Sequence, residues 1–286
     1  MKNTIRQSET VKLEELRNLF IELTAKNCNQ KCKHCYINFH QYKKINDFIK
    51  IDTITQTLNT LDNYNINCIY LTGAEPMTHP DFNAILRLCL KKTNVCICTN
   101  GSFINEKKAR FLKKVENESN HEIFFEISLD HYDEIKNDDI RYRGAYRHAI
   151  FAIKHLYKYD FTPIIHAVNY YNEDYNDLYT NLFNLFSEHG YEIYPTQIKI
   201  TPYYNKEATE DSSPADYTHK PHPDCRFGRV LTNKGIYACP FLSGDYRGRC
   251  GSSIENCATK IAMESDFCQT CMKSKYEIFA ISPINV

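Results

Sequence analysis

IELTAKNCNQKCKHCY, residues 21–36, decides how the rest of the chain is read. It begins in an apolar, β-prone run, LFIELTA (19–25), and passes directly into Cys28, Cys32 and Cys35, spaced C-x3-C-x2-C and followed by the aromatic Tyr36. Three thiolates on one loop can bind three irons of a four-iron cluster, which leaves the fourth iron open for a cofactor or substrate. A structural zinc ion is the other metal reading, but it wants a nearby fourth ligand. His34, placed between two cysteines, is an awkward one. Three unrelated free thiols are the plain alternative; the strand before the loop and the motifs after it favour the cluster.

The remaining composition fits such a site. At 286 residues, 42% hydrophobic and 24% charged, the chain is long enough for one large domain and a small appendage, at roughly 150 residues per domain. Its 35 basic and 35 acidic residues cancel, so no global field draws it to nucleic acid or to an anionic membrane. The N-terminal stretch has no apolar signal region and no run of about 18 apolar residues occurs, so a cytoplasmic location is expected. Thirteen cysteines in a reducing compartment point to metal binding or catalysis rather than to disulfides.

Short β-prone runs alternate with longer segments of helical periodicity. LFIELTA (19–25), CIYLTG (68–73), VCICTN (95–100), EIFFEISLD (122–130), TPIIHAV (162–168) and TQIKIT (196–201) read as six strands, with helices over 51–64, 81–92, 105–116, 145–159 and 176–190. This alternation predicts an α/β fold of parallel strands with right-handed crossovers, a doubly wound sheet or an open barrel, with active residues at the carboxyl ends of strands. Residues 202–222 are polar and aperiodic and read as a linker, dividing a first domain (1–201) from a small one (223–286). The latter holds six cysteines and few periodic segments, so a metal is expected to hold its shape.

Three strand ends carry further motifs. LTGAEPMTHPDF (71–82) contains Gly73-Ala74-Glu75-Pro76, CTNG (98–101) contains Thr99 and Asn100, and ISLD (127–130) puts Ser128 and Asp130 on one side of its strand. With the cysteine loop, these resemble the radical S-adenosylmethionine (radical SAM) superfamily over about residues 18–200. The resemblance implies a partial (β/α)6 TIM-type barrel. Its open iron would chelate the amino and carboxylate groups of S-adenosylmethionine, and reductive cleavage would yield methionine and a 5'-deoxyadenosyl radical, with the protein positioning and shielding that chemistry. Gly73, Ala74, Glu75 and Pro76 match the family's GGEP turn, whose backbone approaches the cofactor closely. Ala74 departs from the pattern, so no glycine-only backbone angle is expected there. The resemblance further implies cofactor contacts from Tyr36, Thr99, Asn100, Ser128 and Asn169, the last in IIHAVNYYN (164–172), and puts Asp130 near the substrate. Arg143, in RYRGAYRHAIFAI (141–153), takes the place of an arginine suited to a carboxylate, although Arg141 could equally be that arginine. Cys68, Cys89, Cys96 and Cys98 fall in apolar patterns and read as core.

In the C-terminal segment, Cys225 and Cys239 flank an apparent hairpin turning at Asn233-Lys234-Gly235, and Cys268 and Cys271 form C-x2-C. From spacing alone this could be a zinc ribbon. Beside a radical SAM domain it resembles SPASM and twitch extensions, which implies one auxiliary four-iron cluster on Cys225, Cys239, Cys268 and Cys271. Cys250 and Cys257 remain over as a spare ligand, a hydrogen-atom donor or inert thiols. The expected activity is hydrogen-atom abstraction from a peptide or small polar metabolite, giving oxidation, cross-linking or epimerisation, with a flavodoxin- or ferredoxin-type electron donor. Only 27 residues precede Cys28, which leans away from a leader-guided peptide maturase. The competing expectation is a non-catalytic iron-sulfur electron carrier or zinc-stabilised binding module.

Overall fold

The computed structural model describes residues 10–39, 48–203, 223–257, 260–263, 265, 268 and 271. The expected linker falls almost wholly on 204–222, outside the described residues. After a short strand β1 (Thr10–Lys12), strand β2 (Asn18–Glu22) leads into the cysteine loop. There follow α1 (Ile51–Thr60), β3 (Cys68–Thr72), α2 (Phe82–Leu90), β4 (Asn94–Thr99), α3 (Glu106–Asn117) and β5 (Ile123–Ser128). Two helices, α4 (Glu134–Ile140) and α5 (Ala145–Lys158), precede β6 (Ile164–Asn169), and α6 (Tyr175–Glu188) leads to β7 (Ile198–Pro202). Helix starts are set by short acceptor side chains: Asn105 accepts from Lys108 N–H at 2.9 Å, Asp133 from Lys136 N–H at 2.9 Å, and Asp174 from Asn176 N–H at 2.8 Å.

The six strands β2 to β7 lie side by side in chain order and pair in parallel, the arrangement that strand-helix alternation predicts. All five residues of β3 are buried, as in a sheet covered on both faces. One face, with Leu19, Ile21, Ile69, Ile97, Ile127 and Ile165, packs on the helices in the main core. Residues of opposite parity face inward, where a smaller cluster gathers Phe20, Cys68, Tyr70, Cys96 and Ile164. Phe20 stacks on Tyr70 with ring centroids 4.4 Å apart. The result is an open, partial barrel.

The C-terminal segment shares this sheet. A short α7 (Pro223–Phe227) delivers the chain to β8 (Gly228–Thr232), which pairs in parallel with the free side of β2, Asn18 opposite Gly228. Strand β9 (Gly235–Tyr237) turns back antiparallel through the expected hairpin, and β10 (Arg249–Gly251) extends it. The last strand, β11 (Lys260–Ala262), pairs antiparallel with β1. Thus β1, β10 and β11, together with α4 and α7, add to the elements that the sequence indicates, and each has seven residues or fewer.

A buried hydrogen bond locks this segment to the barrel: fully buried Ser243 donates to the Glu22 carboxylate at 2.7 Å. A Ser243→Ala variant leaves that carboxylate short of a donor and is expected to lose about 1–3 kcal/mol of stability, measured by urea unfolding. A loss below about 0.5 kcal/mol would show that the contact is not a lock.

Candidate active site

The cysteine loop begins where β2 ends. Thr24 Oγ1 accepts from Asn27 N–H at 3.1 Å and turns the chain out of the sheet. Gly73, at φ +121°, lies against that turn: a Cβ there would stand 2.4 Å from the Thr24 carbonyl oxygen. The next residues continue the seam, with Ala74 N–H donating to Thr24 O at 2.9 Å and Glu75 N–H to Asn27 O at 3.0 Å. The turn therefore requires glycine at 73 for its backbone angle and its closeness. Ala74, as expected, does not adopt a positive φ.

Glu75 is fully buried and holds two strand ends together. One carboxylate oxygen accepts from Met77 N–H (3.1 Å) and from the Thr99 hydroxyl (2.8 Å), the other from Asn100 N–H (2.9 Å). Burial pushes its carboxyl above the usual range, although those donors and the Arg141 charge pull the other way. Asn100 in turn donates from Nδ2 to Asn29 Oδ1 at 2.9 Å and toward Cys28 Sγ at 3.7 Å. From the end of β4, Asn100 thus reaches the cysteine loop, while Thr99 holds Glu75.

The other side of the loop rests on Asp130. Its Oδ2 meets His34 Nε2 at 2.7 Å and accepts from Arg141 Nη1 at 2.9 Å, while Oδ1 accepts from Val168 N–H at 2.9 Å. Burial would raise this carboxyl, but the charges of His34 and Arg141, with their hydrogen bonds, hold it well below the usual carboxylate range. Arg141 also donates from Nε to Gln30 Oε1 at 3.2 Å, and Lys33 N–H donates to Ile140 O at 2.8 Å. Of the two arginines considered, Arg141 is buried against the loop and Arg143 is exposed. The three thiols occur as free cysteines. Burial raises Cys28, and it pushes Cys32 up to about 11 against the opposing charge of Arg141.

The remaining expected contacts are placed as follows. Tyr36 packs edge-on to Phe241 at 5.3 Å, its phenol raised by burial beside Glu22 and Thr72. Pro76 is buried at the first position of a short 3-10 turn. Ser128 is level with His166 across the β5–β6 pair. Asn169 spends its side chain on the Glu173 backbone, donating to its carbonyl at 2.7 Å and accepting from its N–H at 2.9 Å. Cys68, Cys89 and Cys96 are buried, while Cys98 on the inner face is half-buried.

In the C-terminal segment Cys225, Cys239, Cys268 and Cys271 line one cavity, walled otherwise by apolar groups such as Val11, Leu242, Ile261 and Met263. Burial, followed by the neighbouring Cys225, Cys268 and Cys271, drives the Cys239 thiol well up. Cys250 and Cys257 pair with each other. The Cys250 thiol lowers Cys257 to about 6 and is itself raised, with the Arg229 guanidinium nearby. Among the described residues, no three Cys, His or carboxylate groups close on a single point, as ligands of one ion would. A cluster takes each thiolate on a different iron, so its ligands stand apart, and both cysteine groups suit one in donor chemistry.

The sequence profile of the Radical SAM superfamily matches residues 23–180. The chain belongs to that superfamily. A four-iron cluster and S-adenosylmethionine are accordingly its cofactors. It is 30% identical over 137 residues to AlbA, the antilisterial bacteriocin subtilosin biosynthesis protein of Bacillus subtilis (strain 168), a match covering 47% of this chain and 29% of AlbA. It is also 30% identical over 141 residues to the putative glycyl-radical enzyme activating enzyme MJ1632 of Methanocaldococcus jannaschii, covering 44% of this chain and 50% of that one, so the chain matches no more than half the length of these two curated relatives. Two solved structures share its fold. One is anSMEcpe with bound AdoMet and Cp18Cys peptide (TM-score 0.62, 15% identity, 91% of this chain and 84% of that one). The other is SuiB of Streptococcus suis bound to its precursor peptide SuiA (TM-score 0.63, 15% identity, 91% and 65%).

Inside this radical SAM barrel lies a polar group that the motifs do not mark. His166 Nδ1 meets Glu126, and its Nε2 meets Thr201 Oγ1 at 3.1 Å. Burial alone would raise Glu126, but the charges of His166 and Lys199 hold it at about 2. The available signal was alternation: His166 and Lys199 take inward positions in the otherwise apolar runs IIHAV and IKI.

Two outcomes follow for stability. Gly73→Ala, strained in backbone and clashing with Thr24, is expected to cost about 2 kcal/mol or more in chemical denaturation. A near-neutral effect would contradict the seam described above. Because Glu126 is depressed in the fold, its stabilisation is present above the unfolded value of 4.5 and disappears as pH falls toward about 2. Unfolding measured from about pH 5 down to about pH 3 should show stability falling less steeply in Glu126→Gln than in wild type. Equal slopes would argue against the ion pair.

Proposed function

We propose that the chain is a peptide-modifying radical SAM enzyme with two clusters: a reactive one on Cys28, Cys32 and Cys35, and an auxiliary one on Cys225, Cys239, Cys268 and Cys271. The catalytic unit is 1–201 and the auxiliary unit 223–286, joined by 202–222. When bound, the cofactor pair supplies a 5'-deoxyadenosyl radical able to take a hydrogen atom from an unactivated C–H bond. The protein's part is to hold, orient and shield.

The observation that carries this reading is the convergence of four strand ends on the cysteine loop: Thr24 from β2, Gly73 and Glu75 from β3, Asn100 from β4, and Asp130 after β5. Asp130, with both oxygens taken, acts as a positioning residue for His34 and Arg141. Ser128, on the inner face at the end of β5 and two residues before Asp130, is assigned to the cofactor. The peptide class is supported by the name of AlbA, a bacteriocin biosynthesis protein, and by the peptides bound to anSMEcpe and SuiB. The four thiols lining one cavity would hold an auxiliary cluster, which would supply an acceptor for the electron lost by the substrate radical and so favours a net oxidation or cross-link. Return of a hydrogen atom from Cys250 or Cys257, both free thiols, would give epimerisation instead. A flavodoxin- or ferredoxin-type protein would deliver the first electron. No helix among the described residues is long and apolar enough to cross a membrane.

The test is anaerobic reconstitution, iron and sulfide counting, and assay for 5'-deoxyadenosine after dithionite reduction, with Cys28, Cys32 and Cys35 all changed to Ala as the control. About eight irons per chain in wild type, about four in the variant, and 5'-deoxyadenosine from wild type only is the expected result. About four irons in both and no cleavage would support a non-catalytic iron-sulfur protein instead.

A further inference from the structure

Residues paired across neighbouring parallel strands point to the same side of the sheet. Ser128 of β5 is level with His166 of β6, and His166 with Lys199 of β7, so the three form one row on the inner face. Glu126 and Thr201 share that face, one step along their strands. Most of the charge here is matched. The Thr201 hydroxyl leans on Ala167 O at 3.4 Å and meets His166 Nε2 at 3.1 Å, and His166 Nδ1 meets the Glu126 carboxylate.

Lys199 is left over. Its Nζ is sealed from solvent and makes no hydrogen bond among the described residues. The nearby side chains whose charge reaches it are Glu126, already held by His166, and the thiols Cys96 and Cys98. Those thiols bond to each other and are kept protonated, so they supply no counter-charge. An ammonium group in such a place is costly unless an anion joins it. Cys98, His166 and Lys199 are half-buried on this inner face, so the row is not wholly filled by the apolar core.

We propose that Lys199 is a specificity-determining residue that receives a carboxylate of the peptide substrate inside the barrel, in the same row as Ser128. This rests on the peptide-modifying reading above and narrows it to acidic substrates. The carboxylate can come from an Asp or Glu side chain or from a peptide C-terminus; the chemistry at Nζ is the same. A carboxylate accepting from Nζ would give that ammonium the hydrogen-bond partner it lacks among the described residues.

The test is calorimetric titration of reconstituted full-length protein, with S-adenosylmethionine present. Three peptides serve as probes: acetyl-Gly-Glu-Gly-amide, acetyl-Gly-Gly-Gly with a free C-terminal acid, and the neutral acetyl-Gly-Gln-Gly-amide. Wild type should bind one of the two acids about tenfold or more tighter than the neutral peptide, and which acid wins identifies the source. Lys199→Gln should lose the preference and Lys199→Arg should keep part of it, with circular dichroism checking that both fold. A wild type without acid preference, even at millimolar peptide, overturns the proposal. So does a Lys199→Gln protein that keeps the preference, or one that loses S-adenosylmethionine instead, which would give the lysine to the cofactor. Because the readout is binding, a failure here is separate from a failure to form 5'-deoxyadenosine.

Discussion

Two buried carboxylates hold the cysteine loop, and the rest of the site depends on them. A carboxylate out of water is tolerated only with its oxygens occupied, and Glu75 and Asp130 meet that condition in opposite ways. Glu75 collects backbone and hydroxyl donors from two strand ends and is pushed toward its neutral form. Asp130 collects His34 and Arg141 and is held as an anion. The Glu75 carboxylate ties the end of β3 to the end of β4, from which the Asn100 side chain reaches the loop, and Asp130, after β5, ties His34 of the loop to Arg141 at the end of α4. A loop of free thiols between them has little choice of position, which is the preorganisation that an iron cluster with an open site requires.

The same logic extends down the barrel. The outer face of the strands is apolar and packs on helices, as parallel sheets demand. The inner face begins with Phe20, Tyr70 and Cys96 and becomes charged toward β6 and β7. Such polarity lowers stability unless it is used, so it marks the part of the molecule shaped for ligands rather than for folding. On the other edge, β8 continues the sheet beyond β2, and Ser243 reaches back to Glu22. The two cysteine sites therefore lie on one continuous sheet.

Much of this was legible in the sequence. The six parallel strands and five helices follow from the regular alternation of short β-prone runs with longer segments of helical period, and their observed ends lie within a few residues of the expected ones. The C-x3-C-x2-C loop and the turn at Gly73 were visible because they depend on residue type at fixed spacing. The expected set Cys225, Cys239, Cys268 and Cys271 is the set that lines the cavity. What escaped was contact between distant residues. Nothing local shows that Arg141 rather than Arg143 turns inward, since both lie in the short connection between α4 and α5. His34 reads as a poor metal ligand, and its partner lies 96 residues away. Asn169, read as a ligand contact, spends its amide on a local turn instead. The parallel pairing of β8 with β2 joins segments more than 200 residues apart, which no window along the chain can reveal.

The central claim is that the three-cysteine loop carries a cluster whose open iron binds S-adenosylmethionine. Electron paramagnetic resonance of the dithionite-reduced, reconstituted protein tests it most directly, with and without S-adenosylmethionine. The account predicts a reduced-cluster signal that changes on adding the cofactor and is missing when Cys28, Cys32 and Cys35 are replaced by Ala. A signal indifferent to S-adenosylmethionine and unaltered by those replacements would contradict it.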